Sequence, residues 1–241
     1  MALQKLGPRL FDLAPEELSG ALSQLSFENK TRRIVKRSRK DFDRLRDRRD
    51  LKLNLGCGTD IKPGWVNIDL ALDSPPVFDP DPALGTIFIN HDLRRGIPLP
   101  KESCDIIYSS HFFEHIEYSD ALKLLRECYQ LLKPGGTFRL ALPDFKGACA
   151  AYLNNDAGYF DLVDVDLFLP EVEPGTLTII DFINFAAYQS GEHKRVFDEE
   201  KVILLLQHIG YSTAEISSFQ SEIDTPGLVR TKYSFYIEAK K

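Results

Sequence analysis

Between residues 51 and 142 the chain alternates short apolar runs with glycine, proline and acidic breaks. Residues 51–55, 65–69, 86–89, 105–109 and 137–142 are each four to six residues long, rich in leucine, isoleucine and valine, and bounded by turn formers. That pattern predicts five buried strands. Residues 119–132 have a different period: Leu122, Leu125, Tyr129 and Leu132 share one helical face, Ser119 is placed to cap, and Lys133-Pro134-Gly135-Gly136 ends the helix. Downstream, helices are expected at 145–153, 177–188 and 199–208, the last capped by Asp198 and closed by Gly210. Strands follow at 212–216 and 232–239, with no helix between them. Strands alternating with helices argue for an α/β fold, a doubly wound, mainly parallel sheet of seven strands ending in an antiparallel hairpin.

Residues 1–50 read differently. Pro15, Glu16 and Glu17 make a good first helical turn, and Leu18, Leu22 and Leu25 continue one face. Ile34, Phe42 and Leu45 leave a sparse stripe, enough for a helix to lie on a body. The division expected is an N-terminal helical extension, 1–50, and a main domain, 51–241, in which 155–197 forms an insertion or lid. A Pro/Asp-rich surface loop is expected at 73–82.

Charge sharpens this division. The chain of 241 residues has a net charge of −6, yet residues 30–50 hold 11 Lys/Arg against 4 Asp/Glu. Paired charges on a solvated helix are one reading of this arm, and a docking surface for a phosphate-bearing partner is the other. Residues 156–173 contain Asp156, Asp161, Asp164, Asp166, Glu171 and Glu173 and no Lys or Arg, interleaved with apolar side chains. An acidic lid would repel phosphates and so speaks against nucleic acid at the centre. No apolar stretch approaches the roughly 20 residues of a membrane span. Four cysteines without CxxC spacing and an N-terminus lacking an apolar leader suggest a reducing, cytoplasmic setting.

Candidate chemistry collects at predicted strand ends, where open parallel sheets bind ligands. Gly56-Cys57-Gly58 follows the first strand and Asp69 ends the second. His91-Asp92-Leu93 follows the third, Ser110-His111-Phe112 the fourth and Pro143-Asp144 the fifth. The stretches Leu53–Thr59 and Gly64–Asp69, His91-Asp92-Leu93 with Ile97-Pro98-Leu99-Pro100, Glu114-His115-Ile116 and Leu131–Gly136 together resemble class I S-adenosylmethionine-dependent methyltransferases, and most of all the predicted-methyltransferase group among type 11-like proteins. The resemblance covers about 51–145 well and 193–211 loosely.

It implies a Rossmann-like fold, methyl transfer, and S-adenosylmethionine as cofactor. It further implies cofactor contacts from Asn54, Gly56, Cys57, Gly58, Asp69, Leu70, Asp92, Leu93, Ser110 and His111. Asp69 would take the ribose hydroxyls, Asp92 the adenine amino group, and Ser110 and His111 the methionine end. Phe112 and Phe113 would wall a pocket or serve as core aromatics. Two departures stand out. Asn54 replaces the usual acidic residue before the loop, and only ten residues separate Gly58 from Asp69, too few for a full crossover helix.

A hydroxyl acceptor would benefit from a general base. Candidates are His111 and His193 foremost, then His115 and Asp144. The spacing of His, Cys and carboxylates suggests no metal. The reading is transfer to a small-molecule acceptor, a hydroxyl. The alternatives are an RNA or protein acceptor docked through the basic arm, and a relative that binds cofactor or partner without catalysis.

Overall fold

The computed structural model describes residues 15–72 and 85–241. The expectations for residues 1–10 and 73–82 lie outside the described residues. Helix α1 (Pro15–Asp43) precedes strands β1 (Leu51–Leu55), β2 (Val66–Asp69), β3 (Ile87–Asn90) and β4 (Cys104–Ser110). Helix α2 (Tyr118–Leu131) leads into β5 (Leu132–Pro143) and α3 (Phe145–Leu153). The short α4 (Val165–Phe168), then α5 (Ile179–Tyr188) and α6 (Glu199–Ile209), precede β6 (Thr213–Ser217), the short α7 (Leu228–Lys232) and β7 (Ser234–Lys240).

The seven strands lie in the order β3-β2-β1-β4-β5-β7-β6. All neighbouring pairs from β3 to β5 are parallel, with Leu53 opposite Val66 and Ile107. β7 is antiparallel to both β5 and β6. The expected α/β sheet with its terminal hairpin is present. In β1 only Lys52 is exposed, as a strand covered on both faces requires. The apolar core runs through the sheet and takes in Phe42 and Leu45 from the α1 side, so the sparse stripe is an anchoring one.

Local details correct the sequence reading of α2. Its N-cap is Glu117, which makes no side-chain cap bond, rather than Ser119. Its buried face is Ala121, Leu124, Leu125, Cys128 and Leu131, while Leu122 and Tyr129 are half-buried. The helix is rotated by a residue because Leu124 and Leu125 both reach the sheet. The last strand begins two residues later than expected, at Ser234, because residues up to Lys232 close the turn of α7. Asp198 caps α6 as expected, accepting from the Lys201 amide at 2.8 Å, and Gly210 ends it at φ 117°.

Two features place the site. The β1–β2 crossover contains no helix and is stitched by side-chain amides instead. Asn67 Oδ1 accepts from the Lys62 amide at 2.8 Å and from Asn54 Nδ2 at 3.0 Å, while its own Nδ2 donates to the carbonyls of Lys62 and Trp65. The second feature is residues 218–233, between β6 and β7. β7 runs against its neighbours, so this connection emerges at the carboxyl ends of the parallel strands. Fully buried Arg139 of β5 holds it down by a two-pronged pair with Asp224, Nε to Oδ1 at 2.6 Å, and by a bond to the Ser218 carbonyl at 2.7 Å.

Candidate functional site

The carboxyl ends of β1, β2 and β4 open into a cavity of about 750 Å³. Asn54, Gly56, Cys57, Gly58, Asp69, Ser110 and His111 line it, together with Asp60, Phe112, His115, Thr225 and Arg230. A neighbouring cavity of about 180 Å³ is bounded by Leu70, His91, Asp92, Leu93, Phe112 and Phe27 of α1, among others. Every cofactor-binding residue expected from the sequence lines one of these two cavities.

The glycines have separate jobs. Gly56, at φ 65°, lies against the Phe112 ring, which a Cβ there would overlap. Gly58, at φ 52°, has open space where a Cβ would point. Both φ values fall in the left-handed region that glycine occupies without penalty. Asp69 is fixed rather than loose: Oδ2 accepts from the Gly58 amide at 2.5 Å and Oδ1 from the Leu70 amide at 2.6 Å. Its remaining lone pairs suit a diol. Asn54 is buried, and its Nδ2 is committed to the Asp60 carbonyl at 2.8 Å and to Asn67, which leaves only its oxygen for a ligand.

Asp92 is more occupied than the sequence suggested. It caps the turn Leu93–Arg95 and takes a two-pronged bond from Arg94, at 2.8 and 2.9 Å. Arg94 in turn lies over the Phe27 ring, 5.3 Å from its centroid. His91 beside it is structural. Nε2 lies 2.6 Å from the Gly96 carbonyl and must donate, so Nδ1 accepts from the Ser38 hydroxyl of α1 at 2.8 Å. Burial holds the His91 pKa below the ordinary value.

A third cavity, of about 250 Å³, adjoins the first and shares His111 and Arg230 with it. Its walls are aromatic: Tyr159, Phe160, Phe168, Phe182, Phe185 and Tyr233. Phe160 stacks on Phe182 with centroids 4.7 Å apart, so the 155–197 segment has a small apolar cluster of its own, seated on Ala148 and Ala151 of α3. His193 and Asp144 also line this cavity. Asp144, however, caps α3 through the Gly147 amide at 2.8 Å.

His111 sits at a φ of 50° and pairs through Nε2 with Ser234 Oγ at 2.7 Å. Burial first, then the neighbouring Arg230, His193 and His115, push its pKa down to about 3, so the ring is neutral. The two phenylalanines part ways: Phe112 lines the cofactor-side cavities, and Phe113 is buried edge-on against Phe138 in the core.

Several lining residues escaped the sequence reading. Arg230 donates to Ser110 Oγ at 3.0 Å, and Thr225 bridges Asp60 Oδ2 at 2.6 Å and the Tyr108 hydroxyl at 3.0 Å. Their only sequence signal is the length of the connection that carries them. Glu114 was missed as well. It is 2% exposed, burial pushes its pKa up to about 8, and neither carboxyl oxygen has a hydrogen-bond partner among the described residues. All four cysteines are free thiols, and burial raises the pKa of Cys57 in the loop.

No curated protein matches the chain. Among solved structures it is similar to a SAM dependent methyltransferase from Archaeoglobus fulgidus, at 18% identity over 90% of this chain and 99% of that one, with a TM-score of 0.48. An S-adenosylmethionine dependent methyltransferase from Mesorhizobium loti is 16% identical over 79% of this chain and 90% of that one, with a TM-score of 0.45. Residues 53–140 match the family model described as a methyltransferase domain, a stretch that spans β1 to β5 and contains Asp69, Asp92, Ser110 and His111. Over that stretch, a little more than a third of the chain, this protein is similar to methyltransferase domains.

Proposed function

We propose that this protein transfers a methyl group from S-adenosylmethionine to a hydroxyl of a small molecule with an apolar face. The observation that carries the reading is the aromatic cavity that shares His111 and Arg230 with the cofactor-side cavity. Asp69 would hold the ribose, Asn54 with the Gly56–Gly58 turn the methionine end, and Leu70, Asp92 and Leu93 the adenine. The bound cofactor supplies a methyl group already activated by the sulfonium charge.

The protein's contribution is then alignment, which can lower a barrier by roughly 7–11 kcal/mol when reacting atoms are held in line. The stacked aromatics of the 155–197 lid exclude water and fix the acceptor's apolar part. His111 and His193 are the histidines on the acceptor side. His111, neutral at any physiological pH, is a weak base at rest. A hydroxyl oxygen becomes strongly acidic as it gains a methyl group, however, so a weak base suffices to take the proton at that stage.

The test is release of S-adenosylhomocysteine from purified protein given a panel of phenols, sugars and hydroxylated lipophiles. Turnover with members of the panel is expected, lost in His111→Ala and in Phe182→Ala, with cofactor affinity unchanged in Phe182→Ala. Release with RNA or protein alone would replace this reading by the second one. That second reading is supported by the exposed face of α1, where Arg33, Lys36, Arg37 and Lys40 line a shallow groove. It requires acceptor affinity to fall steeply with salt.

A further inference from the structure

We infer that Glu114, His115 and His193 form a binding site for one divalent transition-metal ion where the cofactor-side and aromatic cavities meet. The sequence separates His193 from His115 by 78 positions, which is why spacing alone suggested no metal. The fold brings one ligand atom from each to within 4.8 Å of the others. The backbone makes the juxtaposition firm, since the Glu114 carbonyl accepts from the Lys194 amide at 2.7 Å and is 3.3 Å from that of Arg195.

Two of the three ligand groups, Glu114 and His193 Nε2, have no hydrogen-bond partner among the described residues. His193 Nδ1 must donate to the Ala186 carbonyl at 3.0 Å, so Nε2 carries the lone pair, and it is buried without a partner. A ring nitrogen fixed in this way by a carbonyl is the usual outer support of a metal-bound histidine. The His115 ring packs edge-on against His193, with centroids 4.8 Å apart, and its Nε2 lies 3.9 Å from Glu114 Oε1.

Neither ordinary role explains Glu114. No cation among the described residues hydrogen-bonds it, and Arg230 donates to Ser110 instead. As a neutral acid its O–H would still need an acceptor, and the nearest imidazole nitrogens, at 3.6 and 3.9 Å, are beyond hydrogen-bonding reach. A bound ion satisfies both carboxyl oxygens' surroundings and the His193 lone pair together. Ligand bonds of about 2.0–2.2 Å require the three side chains to close by about an ångström. Two imidazoles and one carboxylate suit zinc or another borderline ion and leave a coordination position open. The all-oxygen preference of magnesium and calcium does not fit.

His193 lines the aromatic cavity, so the open position can take the acceptor's oxygen. This part rests on the transfer proposed above. The acceptor O–H bond breaks with its proton leaving for His111, the oxygen forms the new bond to the methyl carbon, and the carbon–sulfur bond breaks with its electron pair returning to sulfur. The cation's share is to hold that oxygen and favour loss of its proton.

The test is titration of chelator-treated full-length protein with Co2+, followed by visible absorption, with Zn2+ and Mg2+ as competitors. One Co2+ per chain, displaced by Zn2+ and not by Mg2+, is expected, with affinity at least about tenfold weaker in Glu114→Gln and in His193→Ala. Near-ultraviolet circular dichroism checks that each variant is folded, and His193→Ala decides if Glu114→Gln is not. A folded wild-type protein that binds no Co2+, or equal affinity in wild type and folded variants, overturns the site. A parallel titration with S-adenosylhomocysteine keeps the two ideas apart: binding of that ligand without Co2+ removes only the metal, and the converse removes only the transfer reading.

Discussion

At the scale of single residues, the site depends on atoms already fixed before a ligand arrives. Asp69 is held by two backbone amides, so its free lone pairs are aimed. Asp69→Ala should weaken cofactor binding by about 1.5–3 kcal/mol, the range for hydrogen bonds to a charged group, as read by calorimetry. Unchanged affinity would remove Asp69 from the site. Gly56→Ala should destabilise the fold by about 1–3 kcal/mol in urea unfolding, because a left-handed alanine is strained and its Cβ would overlap Phe112. A substitution without cost would show that Phe112 moves freely. Asp69, Asp92 and the glycines stand at the strand ends where the sequence puts them, because strand ends are legible in it. It did not show that Asn54's nitrogen is spent on the crossover, or that Arg94 occupies Asp92, since both depend on side-chain partners that pattern does not encode.

At the scale of elements, α1 is joined to the sheet by a buried polar contact as well as by Phe42. Its Ser38 satisfies His91, which in turn holds the Gly96 turn. Ser38→Ala leaves a buried nitrogen unpaired and should cost about 1–3 kcal/mol in urea unfolding. The same histidine gives a pH dependence. Its folded pKa lies below the ordinary 6.5, so below that pH the unfolded chain takes up a proton that the folded chain refuses. His91 by itself should therefore lower stability as pH drops from about 6.5, by at most about 1.4 kcal/mol per pH unit, and the overall fall should shrink in His91→Gln. A slope identical in both proteins would mean that another group is responsible. The basic stripe of α1 was legible from charge alone, and its anchoring from Phe42 and Leu45. The Ser38–His91 bond, linking positions far apart in sequence, was not.

At the scale of the whole molecule, the strand order explains why residues so distant in sequence share one site. The alternation of strands and helices was enough to expect the sheet and its terminal hairpin. The hairpin's antiparallel return, which carries Thr225 and Arg230 over the cavity, follows from β7 lying between β5 and β6 and not from local pattern. Replacing Arg139 by Met should cost about 3–5 kcal/mol by stranding the buried Asp224, and a second change, Asp224→Leu, should recover much of it in urea unfolding. A single-variant loss below about 1 kcal/mol would mean that water reaches the pair. The same tie bears on how ligands come and go. The amides of Gln220 and Thr225 are bonded to Asp224 and to the Tyr108 hydroxyl, so in hydrogen exchange they should protect like sheet amides, opening only with the sheet. The 155–197 segment rests on a small cluster separate from the main core. On that expectation the 218–233 connection would open only when the sheet does, and ligand traffic would be expected beneath the 155–197 segment instead.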